Sequence, residues 1–161
     1  MNFNTPYLSE LCNKLTNNID HTIKLLSDYN SNDWENLVKD IKVSDCNCNK
    51  YYKLLVFNND IVDVFLIIWF DGAETSIHDH PDGGCAVKIL KGDLVEEVFE
   101  NVGNNRAELI CNNSISKLLE QYDITCKVGN KILHRIKSND YAVSIHVYFP
   151  PNYKQTTYLI K

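Results

Sequence analysis

The feature that most constrains this chain is a series of short β-prone segments between residues 50 and 149. Each is rich in Val, Ile, Leu, Phe or Tyr, and turn signals such as Asn58-Asn59-Asp60 and Lys91-Gly92-Asp93 separate them. Many short strands joined by regular turns are typical of a β-sandwich or barrel. We predict strands over residues 51–57, 61–70, 87–90, 94–99, 108–111, 124–128, 131–136 and 142–149, with a short helix or loop over 114–121.

The first forty residues have a helical period instead. Thr5-Pro6 is a favourable helix start, and apolar residues then recur at intervals of three and four. The apolar positions are Leu8, Leu11, Cys12, Leu15, Ile19, Ile23, Leu26, Trp34, Leu37, Val38 and Ile41. We therefore predict one domain over 1–161, mainly β, in which a helical segment (1–42) packs on the outside of a barrel (50–155).

Composition excludes several classes of function. The chain has 161 residues and a net charge of -5, so it offers no basic stripe to neutralise nucleic-acid phosphates. Its longest apolar run, Val64 to Phe70, is far shorter than the ~20 residues that cross a bilayer. The N-terminus carries no secretory signal, so we expect a cytoplasmic protein with reduced thiols and no membrane or nucleic-acid partner.

The six cysteines and five histidines could form a disulfide framework, a metal site or neither. The cysteine spacings are not those of a zinc site. His78-Asp79-His80 would place two imidazoles on one face of a strand, an arrangement that suits a first-row transition metal. A lone His-x-His is a weak signal, and the residues alone leave open whether His134 or His146 completes the site.

The context of this pair is more specific. Gly72-x5-His78-x-His80-x4-Cys85-x6-Gly92 resembles the first cupin motif, with Cys85 where most metal cupins carry a glutamate. That substitution resembles the cysteine dioxygenase family. A second block is similar too: Leu133-His134-Arg135-Ile136, followed by Val143 to Pro151. The resemblance covers residues 5 to 155 and implies a cupin-type β-barrel (double-stranded β-helix or jelly roll) with a few N-terminal helices packed outside.

The resemblance also implies a reaction. His78, His80 and His134 would hold one Fe(II) per chain, and no organic cofactor is expected. The enzyme would oxidise L-cysteine with O2 to cysteine sulfinic acid, as a monomer whose partners are a small thiol and O2. Three neutral ligands and no carboxylate fit this chemistry better than the usual two-His-one-carboxylate oxygenases.

Further residue roles follow from the same resemblance. Ser144, His146 and Tyr148 alternate along one strand and would face one interior, where a hydrogen-bonded chain could orient the Tyr148 hydroxyl. Cys85 would form a thioether crosslink to Tyr148. Together with Cys85, the three residues of that strand would be the catalytic side chains. Tyr51, Lys53, His146 and Tyr148 would bind the substrate, with Tyr51 and Lys53 receiving its carboxylate. Lys53 replaces the arginine of the family, and it offers a point donor where arginine offers a planar fork.

Two alternatives stay open at this stage. One is the same chemistry on another small thiol such as 3-mercaptopropionate, which Lys53 allows because family members for that acid generally lack the arginine. The other is a non-catalytic metal-binding cupin that acts as a ligand sensor. A zinc or manganese isomerase fits less well, since the cupin glutamate is absent. His21 and the other five cysteines receive no role.

Overall fold

A computed structural model describes residues 4–110 and 116–161 of the chain. Three short helices come first: α1 (Pro6–Lys14), α2 (Ile19–Asp28) and α3 (Glu35–Val38), followed by a 3-10 turn at Val43–Asp45. This confirms the predicted helical N-terminus. Within the two described ranges, no helix is long and apolar enough to cross a membrane.

The described residues after the helices form eleven strands. They are β1 (Tyr51–Asn58), β2 (Asp63–Trp69), β3 (Ile77–His78), β4 (Cys85–Lys91), β5 (Leu94–Gly103), β6 (Arg106–Leu109), β7 (Ser116–Leu119), β8 (Ile124–Lys127), β9 (Ile132–Lys137), β10 (Ala142–Tyr148) and β11 (Thr157–Ile160).

The strands form two sheets that together make a closed β-barrel, as predicted. The first has the order β1-β2-β10-β4-β8. The second has the order β6-β11-β3-β9-β5-β7, and an additional β5–β6 pairing closes it on itself. The pairs are antiparallel except for β11 with β6.

The structure corrects the predicted elements in several places. Residues 116–119 are a strand and not a helix or loop, because they pair with Leu94–Glu97 of β5. Strand β11 was not predicted, and it is held by pairing to β3 and β6. The predicted strand over 108–111 begins and ends earlier, as β6, and residues 111–115 lie outside the described part.

The first sheet separates two layers of core. Its outward-facing residues pack against the helices, and its inward-facing residues line the barrel interior, as the period of two in a strand requires. The outer layer contains Leu66, Ile68, Ala86, Leu90, Val143, Ile145 and Val147 together with Leu8, Leu11, Leu26 and Trp34 of the helical segment. The inner layer contains Ile67, Trp69, Cys85, Val87, Ile89 and Tyr148.

A buried lysine connects the helices to the barrel. Lys88 of β4 is 1% exposed, and its Nζ donates to the carbonyl oxygens of Leu26 (2.8 Å) and Tyr29 (2.6 Å) and to Asn30 Oδ1 (3.2 Å). The last carbonyls of a helix have no partner within the helix and carry partial negative charge. The ammonium of Lys88 therefore caps the C-terminus of α2.

Candidate metal centre

Three histidines converge inside the barrel. The β3–β9 pairing sets His78 directly opposite His134, and His80 follows two residues after His78. The Nε2 atom of His134 lies 2.9 Å from that of His80 and 3.1 Å from that of His78. All three side chains are buried, and their nearest ligand atoms lie within 4.8 Å of one another. The described residues thus contain a three-histidine metal-binding group.

The sequence analysis placed both imidazoles of the His-x-His pair on one strand, and this is wrong. Strand β3 ends at His78, so His80 belongs to the loop that follows. The backbone N–H of His80 donates to the Gly129 carbonyl oxygen (3.0 Å), and the Gly129 N–H donates to that of Pro81 (3.0 Å). These bonds to the β8–β9 turn, and not strand pleating, direct His80 toward the other two rings.

The hydrogen bonds of the outer ring nitrogens show that the cluster fits a metal ion. His78 Nδ1 lies 2.8 Å from the Ser76 carbonyl oxygen, and His134 Nδ1 lies 2.8 Å from Glu96 Oε1. Both oxygens can only accept, so each Nδ1 carries the proton and each Nε2 presents a lone pair. Two lone pairs that face each other at 3.1 Å repel unless a cation lies between them.

The imidazoles are in the protonation state that a metal requires. Burial is the main cause that lowers the pKa of each, to about 3 for His78, and it lowers the pKa of His80 and His134 as well. All three are therefore neutral near pH 7, and neutral imidazole is the form that binds metal. His80 Nδ1 is buried and has no hydrogen-bond partner among the described residues.

Behind His134 lies a buried ion pair that the sequence analysis did not assign. Glu96 of β5 is 3% exposed, and its Oε1 also accepts from Lys127 Nζ of β8 at 2.8 Å. Burial alone raises the pKa of Glu96, but the hydrogen bond from His134 and the charge of Lys127 hold it at about 2. The sequence signal was the family-like spacing of Gly92, Leu94 and Glu96 after Cys85, and the alternation of a strand places Leu94 and Glu96 on one face.

On β10, Ser144 and His146 form part of the expected chain. Trp69 Nε1 donates to Ser144 Oγ (2.8 Å), and Ser144 Oγ lies 2.8 Å from His146 Nε2. No hydrogen bond continues from His146 to the Tyr148 hydroxyl within the described residues. The two rings stack instead, at 6.1 Å between centroids and 15° between planes, because side chains two apart on a strand lie side by side.

Cys85 and Tyr148 are directly opposite each other across the β4–β10 pair. Both are buried, at 2% and 7% exposure. Burial is the main cause that raises the pKa of Cys85 to about 12 and the pKa of Tyr148 well above its usual value. Thiol and phenol are thus both neutral near pH 7. The structure places the two side chains on facing strands, and their crosslink stays a prediction.

Lys53 of β1 extends its ammonium toward the same interior. Its Nζ lies 4.1 Å from the ring centroid of Phe65 and 4.5 Å from that of Tyr148, within cation–π distance. The residue as a whole is exposed, yet desolvation around the amine lowers the pKa of Lys53. No acidic side chain of the described residues lies within ion-pair distance of it.

A cavity of about 250 Å³ joins these groups. Its walls include Tyr51, Lys53, His78, His134, His146 and Tyr148, so the substrate-binding candidates and two of the three metal-ligand candidates share one space. A second cavity of about 410 Å³ shares Lys53, Tyr148, Tyr153, Lys154 and Gln155 with the first. The segment 153–155 therefore lines the entrance to the site.

Hydrogen bonds connect the entrance segment to the segment that carries His78 and His80. Tyr153 donates its hydroxyl to Asp79 Oδ1 (2.7 Å), and the Thr156 backbone N–H donates to the same oxygen (2.7 Å). Asp79 is buried, and in the sequence it lies between His78 and His80. The ligand loop and the entrance segment are consequently one hydrogen-bonded unit.

The remaining histidine and cysteines lie outside this site. His21 is an exposed residue of α2. Cys12 is buried in the helical layer, and Cys46, Cys48 and Cys126 lie wholly or partly at the surface. The five cysteines that the structure describes are free thiols, and Cys111 lies outside its described ranges.

Structural comparison shows the fold. A protein with a double-stranded β-helix domain from Klebsiella pneumoniae superposes with a TM-score of 0.53 at 15% identity, over 74% of this chain and 96% of that one. An RmlC-like cupin from Shewanella frigidimarina superposes with a TM-score of 0.52 at 15% identity, over 71% of this chain and 88% of that one. The predicted cupin barrel is therefore confirmed.

Sequence comparison shows the family. The family model described as cysteine dioxygenase type I matches residues 5–159. Cysteine dioxygenase type 1 of Rattus norvegicus is 30% identical over 94 residues, which cover 58% of this chain and 47% of the relative. The Danio rerio protein of the same name is 28% identical over 139 residues, 83% of this chain and 66% of the relative. The chain spans about half the length of most curated relatives that it matches. The chain belongs to the cysteine dioxygenase type I family.

Proposed function

We propose that this chain is an iron-dependent thiol dioxygenase that oxidises L-cysteine with O2 to cysteine sulfinic acid. The observation that carries the proposal is the convergence of three neutral, buried imidazoles on one point, in a chain of this family. His78, His80 and His134 would hold one Fe(II) through Nε2. The iron would supply the Lewis acidity and the redox chemistry of the reaction.

The chain's own residues would bind and orient the thiol. Lys53 is positioned by its contacts with the rings of Phe65 and Tyr148, so its ammonium can receive the substrate carboxylate without a large rearrangement. Tyr51 lines the same cavity and would donate a second hydrogen bond to that carboxylate. Because a lysine cannot form the bidentate contact of an arginine, we propose weaker binding of cysteine, not a different reaction.

We further propose that Cys85 and Tyr148 form a thioether. Bond formation between the sulfur and the ring carbon next to the hydroxyl removes the thiol hydrogen and one ring hydrogen. The two electrons and two protons would pass to O2, which becomes hydrogen peroxide. The crosslink would hold the phenol ring beside His146. It would thus do what the predicted hydrogen bond from His146 to the Tyr148 hydroxyl was expected to do.

A second candidate substrate is 3-mercaptopropionate. It carries the same thiol and carboxylate as cysteine but lacks the amine. The single ammonium of Lys53 can bind its carboxylate. The non-catalytic alternative, a metal-binding sensor, would require neither the paired Cys85 and Tyr148 nor the hydrogen bond between Ser144 and His146.

Oxygen uptake tests the proposal. The Fe(II)-loaded protein is supplied with cysteine, 3-mercaptopropionate or cysteamine, O2 is followed at an electrode, and the product is identified by mass spectrometry. We expect one O2 per cysteine sulfinic acid formed, and no uptake by the His134→Ala variant. Failure to consume O2 with any of the three thiols would overturn the enzyme proposal and favour a sensor.

The cellular setting is proposed as well. We propose that the protein works as a monomer in the cytoplasm. Light scattering of the purified protein would show one chain per particle, and a stable dimer would contradict this.

A further inference from the structure

The three histidines differ in what supports them from behind. The outer nitrogen of His78 bonds to a backbone carbonyl, and that of His80 has no described partner. Within residues 4–110 and 116–161, a carboxylate supports only His134, and that carboxylate is Glu96. A charged group behind one ligand adds its field to the whole centre, since the three Nε2 atoms converge on one point.

Glu96 does not face His134 as a free anion. Its Oε1 lies 2.8 Å from His134 Nδ1 and also 2.8 Å from Lys127 Nζ. Thr125 completes the arrangement, because its hydroxyl lies 3.2 Å from Lys127 Nζ and 3.5 Å from Glu96 Oε2. The carboxylate therefore shares its charge between an imidazole N–H and an ammonium.

Glu96 is buried, Lys127 is largely enclosed, and the pair connects the two sheets. The side chains of Glu96 and Lys127 are 3% and 15% exposed, so water screens their interaction little. Glu96 belongs to β5 of the second sheet, whereas Thr125 and Lys127 belong to β8 of the first. None of the three lines the substrate cavity described above. Glu96 reaches the candidate ligands through its contact with His134, and the charge of Lys127 acts on both His134 and His80.

We propose that Lys127 is a positioning residue that holds Glu96 against His134 and cancels its negative charge, so that the centre favours a divalent over a trivalent metal ion. The inference rests on the proposed iron site. A lone carboxylate behind His134 would draw the Nδ1 proton toward itself and make the ring a stronger, more anionic donor, which stabilises the higher metal charge. With Lys127 in place, the ring stays a neutral ligand.

The test compares metal preference among variants of the full-length protein. We expect Lys127→Met to raise the affinity ratio of Fe(III) to Fe(II) by about tenfold, a fall of about 59 mV in the one-electron midpoint potential. Lys127→Gln keeps a hydrogen-bond donor but loses the charge, so it shifts the potential in the same direction. Lys127→Arg keeps the charge and restores the native value.

Two further variants separate charge from position. Glu96→Gln should weaken Fe(II) binding by about 10–100-fold in chelator competition, as loss of a carboxylate behind a ligand does elsewhere. The Glu96→Gln/Lys127→Met double variant removes both charges, so its midpoint potential should return toward the native value while its affinity stays weak. Lys131→Met removes an exposed lysine four positions after Lys127 in the chain, and as the matched control it should change neither quantity.

The inference is wrong if both Lys127→Met and Lys127→Gln keep the native potential, or if Lys131→Met shifts it equally. These readouts do not depend on turnover. Absence of cysteine oxidation by the native protein would overturn the proposed function while leaving the metal preference measurable, so the two failures are distinguishable.

Discussion

The charged groups behind His134, here called the rear of the site, and the charged group at its entrance differ in whether they are paired. At the rear, Glu96 is buried and paired with both His134 and Lys127. At the entrance, the ammonium of Lys53 lies over two aromatic rings and has no acidic partner within the described residues. Charges that satisfy each other fix geometry, whereas an unpaired cation in a cavity is available to a ligand. Under the proposed function, the rear would support the metal and the entrance would bind the substrate.

The largest effect is expected from the centre that joins the two regions. His134→Ala removes both a candidate ligand and the partner of Glu96. Metal affinity should fall by more than the about 10–100-fold that changes behind a ligand produce. Equilibrium dialysis with Co(II) measures this, and His21→Ala on α2 is the matched control. Native-like binding by His134→Ala would show that the cluster is not the metal site.

The next effect measures how much the rear depends on pairing. Glu96→Ala leaves Lys127 and the His134 N–H buried without their partner, and breaking a buried pair costs about 3–5 kcal/mol. We expect the free energy of unfolding in urea to fall by about that amount. Glu108→Ala, which loses only an exposed 3.8 Å contact to Lys161, should change it little. Equal decreases in the free energy of unfolding for the two variants would show that the Glu96 pair stabilises the fold no more than an exposed ion pair does.

The entrance should respond through substrate binding and not through stability. Lys53→Met removes the proposed carboxylate contact, so KM for cysteine should rise by the equivalent of about 1–2 kcal/mol. Lys53→Arg supplies a planar fork and should lower KM below the native value. Cysteamine has no carboxylate and serves as the internal control. An unchanged KM for cysteine in both variants would show that Lys53 does not bind the carboxylate.

The smallest effect is expected between the two regions, at Cys85. Cys85→Ser keeps a small polar side chain opposite Tyr148 but cannot form the thioether, so we expect a decrease of only a few-fold in kcat. Peptide mass spectrometry of the native protein should find the Cys85 and Tyr148 peptides joined and lighter by two hydrogen atoms. Separate, unmodified peptides after repeated turnover would contradict the crosslink.

The sequence predicted the parts of this molecule that depend on local periodicity. The apolar spacing of Leu8 and Leu11 indicated a helix, and the alternation of Ser144, His146 and Tyr148 indicated one strand face. It did not predict β7 or β11, because their residues become strands only through pairing with distant partners.

The site shows the same limit. The spacing of His78 and His80 suggested a metal, but the loop that directs His80 depends on Gly129, almost fifty positions away in the chain. Glu96 and Lys127 come from different sheets, so no local sequence pattern indicates that they form an ion pair. The stacking of His146 on Tyr148 was missed because alternation fixes which face a ring occupies and not which of its atoms finds a partner.

The position of Lys88 gives the helical segment a part in the integrity of the site. Cys85 and Lys88 lie on opposite faces of β4, the first toward the cavity and the second bonded to the end of α2. If α2 opened while the barrel stayed folded, that ammonium would remain in an apolar layer without its acceptors. Slow amide hydrogen exchange should therefore extend from β4 into α2, and the two should open together. We therefore expect the helical segment to stabilise the strand that carries Cys85.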